Sequence, residues 1–184
     1  YGSYIPLLGD YTDVVAQKMS ALYEVPETWQ PDFNNDGIRD MVKLGNTCIW
    51  CTTTQNTYVY LGTATGEYTI VNLGNTAFYG GTVADFNNDG NLDIVGYGYW
   101  PNPTRIYLGD GVGGFTSSDI VSNSVVWGNA GDLDHDGDID IVWVGYFPNQ
   151  SFLGFNDGAG NFSIINLPNT RSHGVQLKDI NWDT

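Results

Sequence analysis

One nine-residue pattern occurs three times in this chain. The copies run Asp32, Asn34, Asp36, Gly37, Ile38, Asp40; then Asp85, Asn87, Asp89, Gly90, Asn91, Asp93; then Asp132, Asp134, Asp136, Gly137, Asp138, Asp140. Side-chain oxygens fall at positions 1, 3, 5 and 9, and glycine stands at position 6 each time. Carboxylates and carboxamides at alternate positions of a tight coil point inward, the backbone carbonyl of position 7 adds an oxygen, and the glycine permits the sharp turn. A hard cation such as Ca²⁺ needs that ligand order. A metal-free Asx turn between strands is the plain alternative. Three to five carboxylates within nine residues would repel one another without a cation, which disfavours it. The loops are not EF-hands, because position 12 is Lys43, Gly96 or Trp143 rather than a bidentate glutamate.

Each loop is followed by an apolar run: Met41-Val42, Ile94-Val95 and Ile141-Val142. The rest of the unit repeats as well. An alternating segment (57–62, 104–109, 151–156) leads through a glycine-rich turn (63–66, 110–114, 157–160) into a further segment beginning at Tyr68, Phe115 or Phe162. Runs rich in Val, Ile, Tyr and Phe, bounded by Gly and Asn, read as strands and the turns as hairpins. Another strand then feeds the next loop, giving four short antiparallel strands per unit. The loop starts lie 53 and 47 residues apart, and Asp179, Asn181 and Asp183 open a fourth loop 47 residues on. A period of this size points to a propeller or another repeat array. The expected fold is all-β, made of propeller blades of four antiparallel strands, about three full blades plus a partial or shared one. The boundaries drawn from the repeat are a closing segment at 1–24, blades at 25–73, 74–121 and 122–167, and the start of a further blade at 168–184. The segment Val14 to Tyr23 is the one helix candidate, and it reads equally as a strand.

Composition bounds the partners. Of the 21 acidic residues, eleven lie in the three loops, so most of the formal charge of −15 belongs to the expected metal sites. Six Lys plus Arg leave no basic patch, and nucleic acid is not an expected partner. No apolar stretch approaches the roughly 20 residues that span a bilayer. Cys48 and Cys51 stand as a local pair, without the second pair a structural zinc would need, and read as a disulfide or as two free thiols. The start on Tyr1 rather than Met reads as a processed or partial product.

The run Asp85-Phe86-Asn87-Asn88-Asp89-Gly90, followed by Ile106-Tyr107-Leu108-Gly109-Asp110-Gly111, resembles the FG-GAP/VCBS repeat family, the integrin α-subunit type of β-propeller. The resemblance covers about residues 25–184. It implies that the Asp loop joins the first and second strands of a blade, and that calcium sits on one face of the disc. The ligands would come from positions 1, 3, 5, 7 and 9, with about three Ca²⁺ per chain. Such modules occur in adhesion receptors, in lectins and in polysaccharide-degrading enzymes, and fold alone does not choose among them. Members close with six or seven blades, whereas this length holds just under four units. A four-bladed ring, a fragment, or blades completed between chains as a homo-oligomer are therefore the options.

The loop after each second strand is the expected ligand site. Gly98-Tyr99-Trp100-Pro101-Asn102 and Gly145-Tyr146-Phe147-Pro148-Asn149 match at a shift of 47, and the first unit carries Trp50 between its cysteines. Aromatic faces cover the C–H patches of a sugar and an amide bonds its hydroxyls. Trp50, Trp100, Asn102, Phe147 and Asn149 are the candidates; packing between blades is the alternative for the same aromatics. Catalysis is not expected: His135 lies inside a metal loop, His173 has no arguable nucleophile, and the clustered carboxylates are assigned to metal. Asn149 and Asn161 begin glycosylation sequons. The expectation is an extracellular, calcium-stabilised module that binds glycans or glycoproteins. The rivals are an assembly protein that completes blades between chains, and the propeller portion of a polysaccharide-degrading enzyme.

Overall fold

The computed structural model describes residues 31–45, 56–98, 102–122, 125–145, 151–168 and 177. Among them, eleven strands form three antiparallel sheets, with no helix. The first sheet holds β1 (Met41–Lys43), β2 (Asn56–Gly62) and β3 (Tyr68–Asn75). The middle sheet holds β4 (Phe78–Ala84), β5 (Asp93–Gly98), β6 (Thr104–Gly109) and β7 (Phe115–Val121), paired in chain order. The third repeats that order with β8 (Val125–Gly131), β9 (Asp140–Gly145), β10 (Phe152–Asn156) and β11 (Phe162–Asn166). These are the propeller-like blades expected from the repeat. In the first, the segment before Pro31 lies outside the described residues, as does the ambiguous stretch Val14 to Tyr23.

Period-two alternation decides how the sheets stack, because successive side chains leave a strand on opposite faces. From the middle sheet, Ile94 and Tyr107 face the first sheet and meet Phe33, Val59 and Leu61. Val95, Tyr97 and Ile106 face the other way, onto Ile141, Trp143 and Phe152. The middle sheet is thus covered on both sides, and every residue of β5 is buried. Two apolar seams, rather than one central core, hold the three sheets together.

At one point the inner strands make room for a large side chain by placing a glycine beside it. Trp143 on β9 is fully buried, and a Cβ on Gly154 of the neighbouring β10 would overlap its indole, with Cη2 at 2.6 Å. Gly154→Ala is therefore expected to cost about 1–3 kcal/mol through overpacking. Urea denaturation checks this, and a parent-like midpoint would mean that the indole can move aside.

Strand order also separates the two ends of each sheet. The Asp loops (β4 to β5, β8 to β9) and the glycine-rich turns (β6 to β7, β10 to β11) share one end. The end of β5 and the start of β6, like the end of β9 and the start of β10, lie at the other. No helix of the described residues is long and apolar enough to cross a membrane.

Candidate metal centres

Each Asp loop is a coil wound around its own carboxylates. In the first, the Gly37 N–H donates to Asp32 Oδ2 (2.7 Å), the Asp36 N–H to Asp32 Oδ1 (3.2 Å) and the Ile38 N–H to Asp36 Oδ1 (2.8 Å). The second repeats this with Gly90 on Asp85 (2.9 Å), Asp89 on Asp85 (3.2 Å) and Asn91 on Asp89 (2.8 Å). The third has Gly137 on Asp132 (3.2 Å), His135 on Asp132 (2.7 Å) and Asp138 on Asp136 (2.9 Å). Such bonds turn the side chains of positions 1 and 5 back into the coil. The winding needs left-handed backbone at position 6, where Gly37, Gly90 and Gly137 have φ of 79°, 85° and 96°. Position 4 is left-handed too: Asn35 at 56°, Asn88 at 55° and His135 at 65°. Asn and His tolerate that region better than most residues.

The third loop has the densest charge. One oxygen from each of Asp132, Asp134 and Asp136 lies within 4.8 Å of the others, and all three residues are exposed. Desolvation, then the neighbouring charges of Asp136 and Asp140, push the Asp134 carboxyl above its usual range. Loops one and two carry Asn at position 3. There the amide donates to the position-5 carboxylate, Asn34 to Asp36 at 3.1 Å and Asn87 to Asp89 at 2.9 Å. The donor set is all oxygen, mostly anionic and gathered on one coil, which fits a hard divalent cation. Asp132, Asp134, Asp136 and the carbonyl of Asp138 would hold it in the third loop, as would their counterparts in the other two.

Position 9 does more than its reading as a ligand implied. Asp40, Asp93 and Asp140 are buried to 1%, 0% and 0% exposure. Each accepts two backbone N–H groups from different elements. Asp40 takes Phe33 (2.7 Å) and Gly62 (2.8 Å), Asp93 takes Phe86 and Gly109 (both 2.8 Å), and Asp140 takes Leu133 and Asn156 (both 2.8 Å). One carboxylate thus ties the start of the loop to the end of the third strand. Burial pushes the Asp93 carboxyl up to about 6, helped by the charges of Asp89 and Asp85 and opposed by its two N–H donors. Burial also raises Asp40, with Asp32 and Asp36 adding to the effect. Each carboxylate oxygen keeps a second lone pair, so the latch and a role as ligand are compatible.

Position 2 is an element the motif did not single out. Phe33 and Phe86 are buried, and each packs edge-on against the first residue of the next sheet's last strand. Phe33 meets Phe115 at 5.7 Å, and Phe86 meets Phe162 at 5.9 Å. The repeated aromatic after the first Asp was the available signal. Of the ligand candidates, Trp50, Trp100, Phe147 and Asn149 lie outside the described residues, as do Cys48, Cys51 and His173. Asn102 is half-buried just before β6. His135 is exposed, and the Asn161 amide is held by Asp157 at 3.0 Å.

A family model described as FG-GAP-like repeat matches residues 32–96 and again residues 85–143, well over half of the 184 residues. No curated protein matches the chain. Each match contains two whole Asp loops, the first and second in one and the second and third in the other. The chain belongs to the FG-GAP-like repeat family.

Proposed function

We propose that this protein is an extracellular, calcium-stabilised propeller module that binds carbohydrate and carries no catalytic centre of its own. One Ca²⁺ in each loop, about three per chain, pins the coil that joins the first two strands of a blade. The preformed third loop, with three carboxylates gathered inside 4.8 Å, is the observation that carries the calcium reading. Millimolar extracellular calcium suits exposed loops of this kind. The glycan reading rests on the repeated Tyr-aromatic-Pro-Asn sequence at 99–102 and 146–149, which follows strands β5 and β9, whose last residues lie at the end away from the Asp loops. An aromatic face beside an amide suits a sugar ring.

Glycan-array binding in calcium and in chelator tests this reading. Binding is expected to a defined class of glycan. Trp100→Ala should lower that affinity by about tenfold, roughly one lost stacking contact, with a parent-like melting temperature. A variant that melts early yet keeps its glycan affinity would make Trp100 a packing residue, and an array with no binding would remove the carbohydrate assignment.

A second reading, assembly between chains, is favoured by the outer face of the first sheet. Tyr68 and Ile70 are 39% and 59% exposed there, next to a chain of ring contacts from Tyr58 through Tyr60 to Tyr68. Mass measurement in solution separates it from the first reading.

A further inference from the structure

We infer that the calcium loops are not independent sites: Asn35 and Asn88, at position 4, couple each loop to the next. The inference rests on the calcium reading above and concerns residues that supply no ligand in it. Asn35 Nδ2 donates to Asn91 Oδ1 at 2.8 Å, across from the first loop to position 7 of the second. Asn88 Nδ2 donates to Asp138 Oδ1 at 2.6 Å, from the second loop to position 7 of the third. The same pair of positions is bonded at both seams, at sequence separations of 56 and 50.

A third element closes each joint. The first glycine of the neighbouring turn lies against the bonded pair so closely that a side chain would not fit. A Cβ on Gly111 would collide with Asn91 Oδ1 and reach 2.7 Å from Asn35 Nδ2. One on Gly158 would come within 2.7 Å of the Asp138 carboxylate and 3.0 Å of Asn88 Nδ2. Asn35 also reaches the Gly111 carbonyl at 3.5 Å. Loop, neighbouring loop and neighbouring turn therefore meet at one polar point in each seam.

The chemistry of coupling follows from where position 4 stands. It sits between the ligands at positions 3 and 5, and its left-handed backbone is part of the coil. An ion that fixes positions 3 and 5 fixes the Asn between them. That Asn then holds the side chain of position 7 in the next loop, the residue whose own carbonyl would be a ligand of the next ion. Order imposed by the first ion is order the second need not supply, which gives positive coupling. Linkage makes the effect reciprocal between the two loops. Position 7 of the first loop is Ile38, which has no side-chain acceptor, and position 4 of the third is His135.

Calcium titration of the intact chain, followed calorimetrically, tests the coupling. The parent is expected to bind with a Hill coefficient above one, the later ions roughly tenfold tighter than the first. Asn88→Ala should uncouple the second and third loops and lower the coefficient, and Asn35→Ala added to it should bring the coefficient close to one. Asn88→Asp sets two carboxylates against each other and should likewise lower the coefficient. The double variant Asn88→Asp with Asp138→Asn restores a donor–acceptor pair in reverse and should recover the steepness. A second readout uses Asp134→Ala to disable the third loop. This should weaken calcium binding at the second loop about tenfold in the parent and leave it unchanged in Asn88→Ala. Non-cooperative binding by the parent overturns the inference, as does steepness that survives both Asn35→Ala and Asn88→Ala. A parent that binds no calcium overturns the calcium reading itself.

Discussion

Stripping calcium is expected to lower the melting temperature by about 20 °C. At a hundredfold excess over its dissociation constant, one ion that binds only the folded chain contributes about 2.7 kcal/mol. Three such loops give about 8 kcal/mol, and a chain of this size shifts by about 2–4 °C per kcal/mol. In the third loop, desolvation and then the charges of Asp136 and Asp140 raise the Asp134 carboxyl, and a bound cation would relieve that repulsion. Differential scanning calorimetry in calcium and after exhaustive chelation measures the difference. Coincident curves would mean that the loops fold without help from metal.

The second large effect belongs to position 9. Asp93→Ala removes the acceptor of the Phe86 and Gly109 N–H groups inside the middle sheet. An orphaned buried donor costs about 1–3 kcal/mol, so the pair should cost about 3–5 kcal/mol, before any lost ion is counted. Asp140→Ala should behave alike through Leu133 and Asn156. Asp136→Ala is the informative contrast, because that carboxylate is exposed and bonds within its own loop. It should lose one ion yet match the parent once calcium is removed. Urea denaturation in chelator therefore separates latch from ligand. Parent-like stability of Asp93→Ala under those conditions would contradict the latch.

The sequence disclosed what is local and repeated. Strand pairs such as β9 and β10, the Asp loops between first and second strands, and the glycine at position 6 all follow from alternation, spacing and turn chemistry within one unit. The contacts between units were not legible. Phe33 against Phe115, and Asn88 against Asp138, join residues 82 and 50 positions apart. Their meeting depends on the stagger of one sheet on the next, which no pattern inside a single repeat encodes. The latch was hidden for another reason. An Asp at position 9 satisfies the metal motif completely, and only its burial between two backbone N–H groups distinguishes Asp40, Asp93 and Asp140 from the exposed carboxylates of the third loop.

The central claim, that three Asp loops each hold a calcium ion, is tested most directly by counting ions. Native mass spectrometry of the folded chain, equilibrated in millimolar calcium and exchanged into volatile buffer, should show three bound Ca²⁺. Asp136→Ala should show two. A folded parent that carries no calcium, or an Asp136→Ala variant that still carries three ions, would contradict the account.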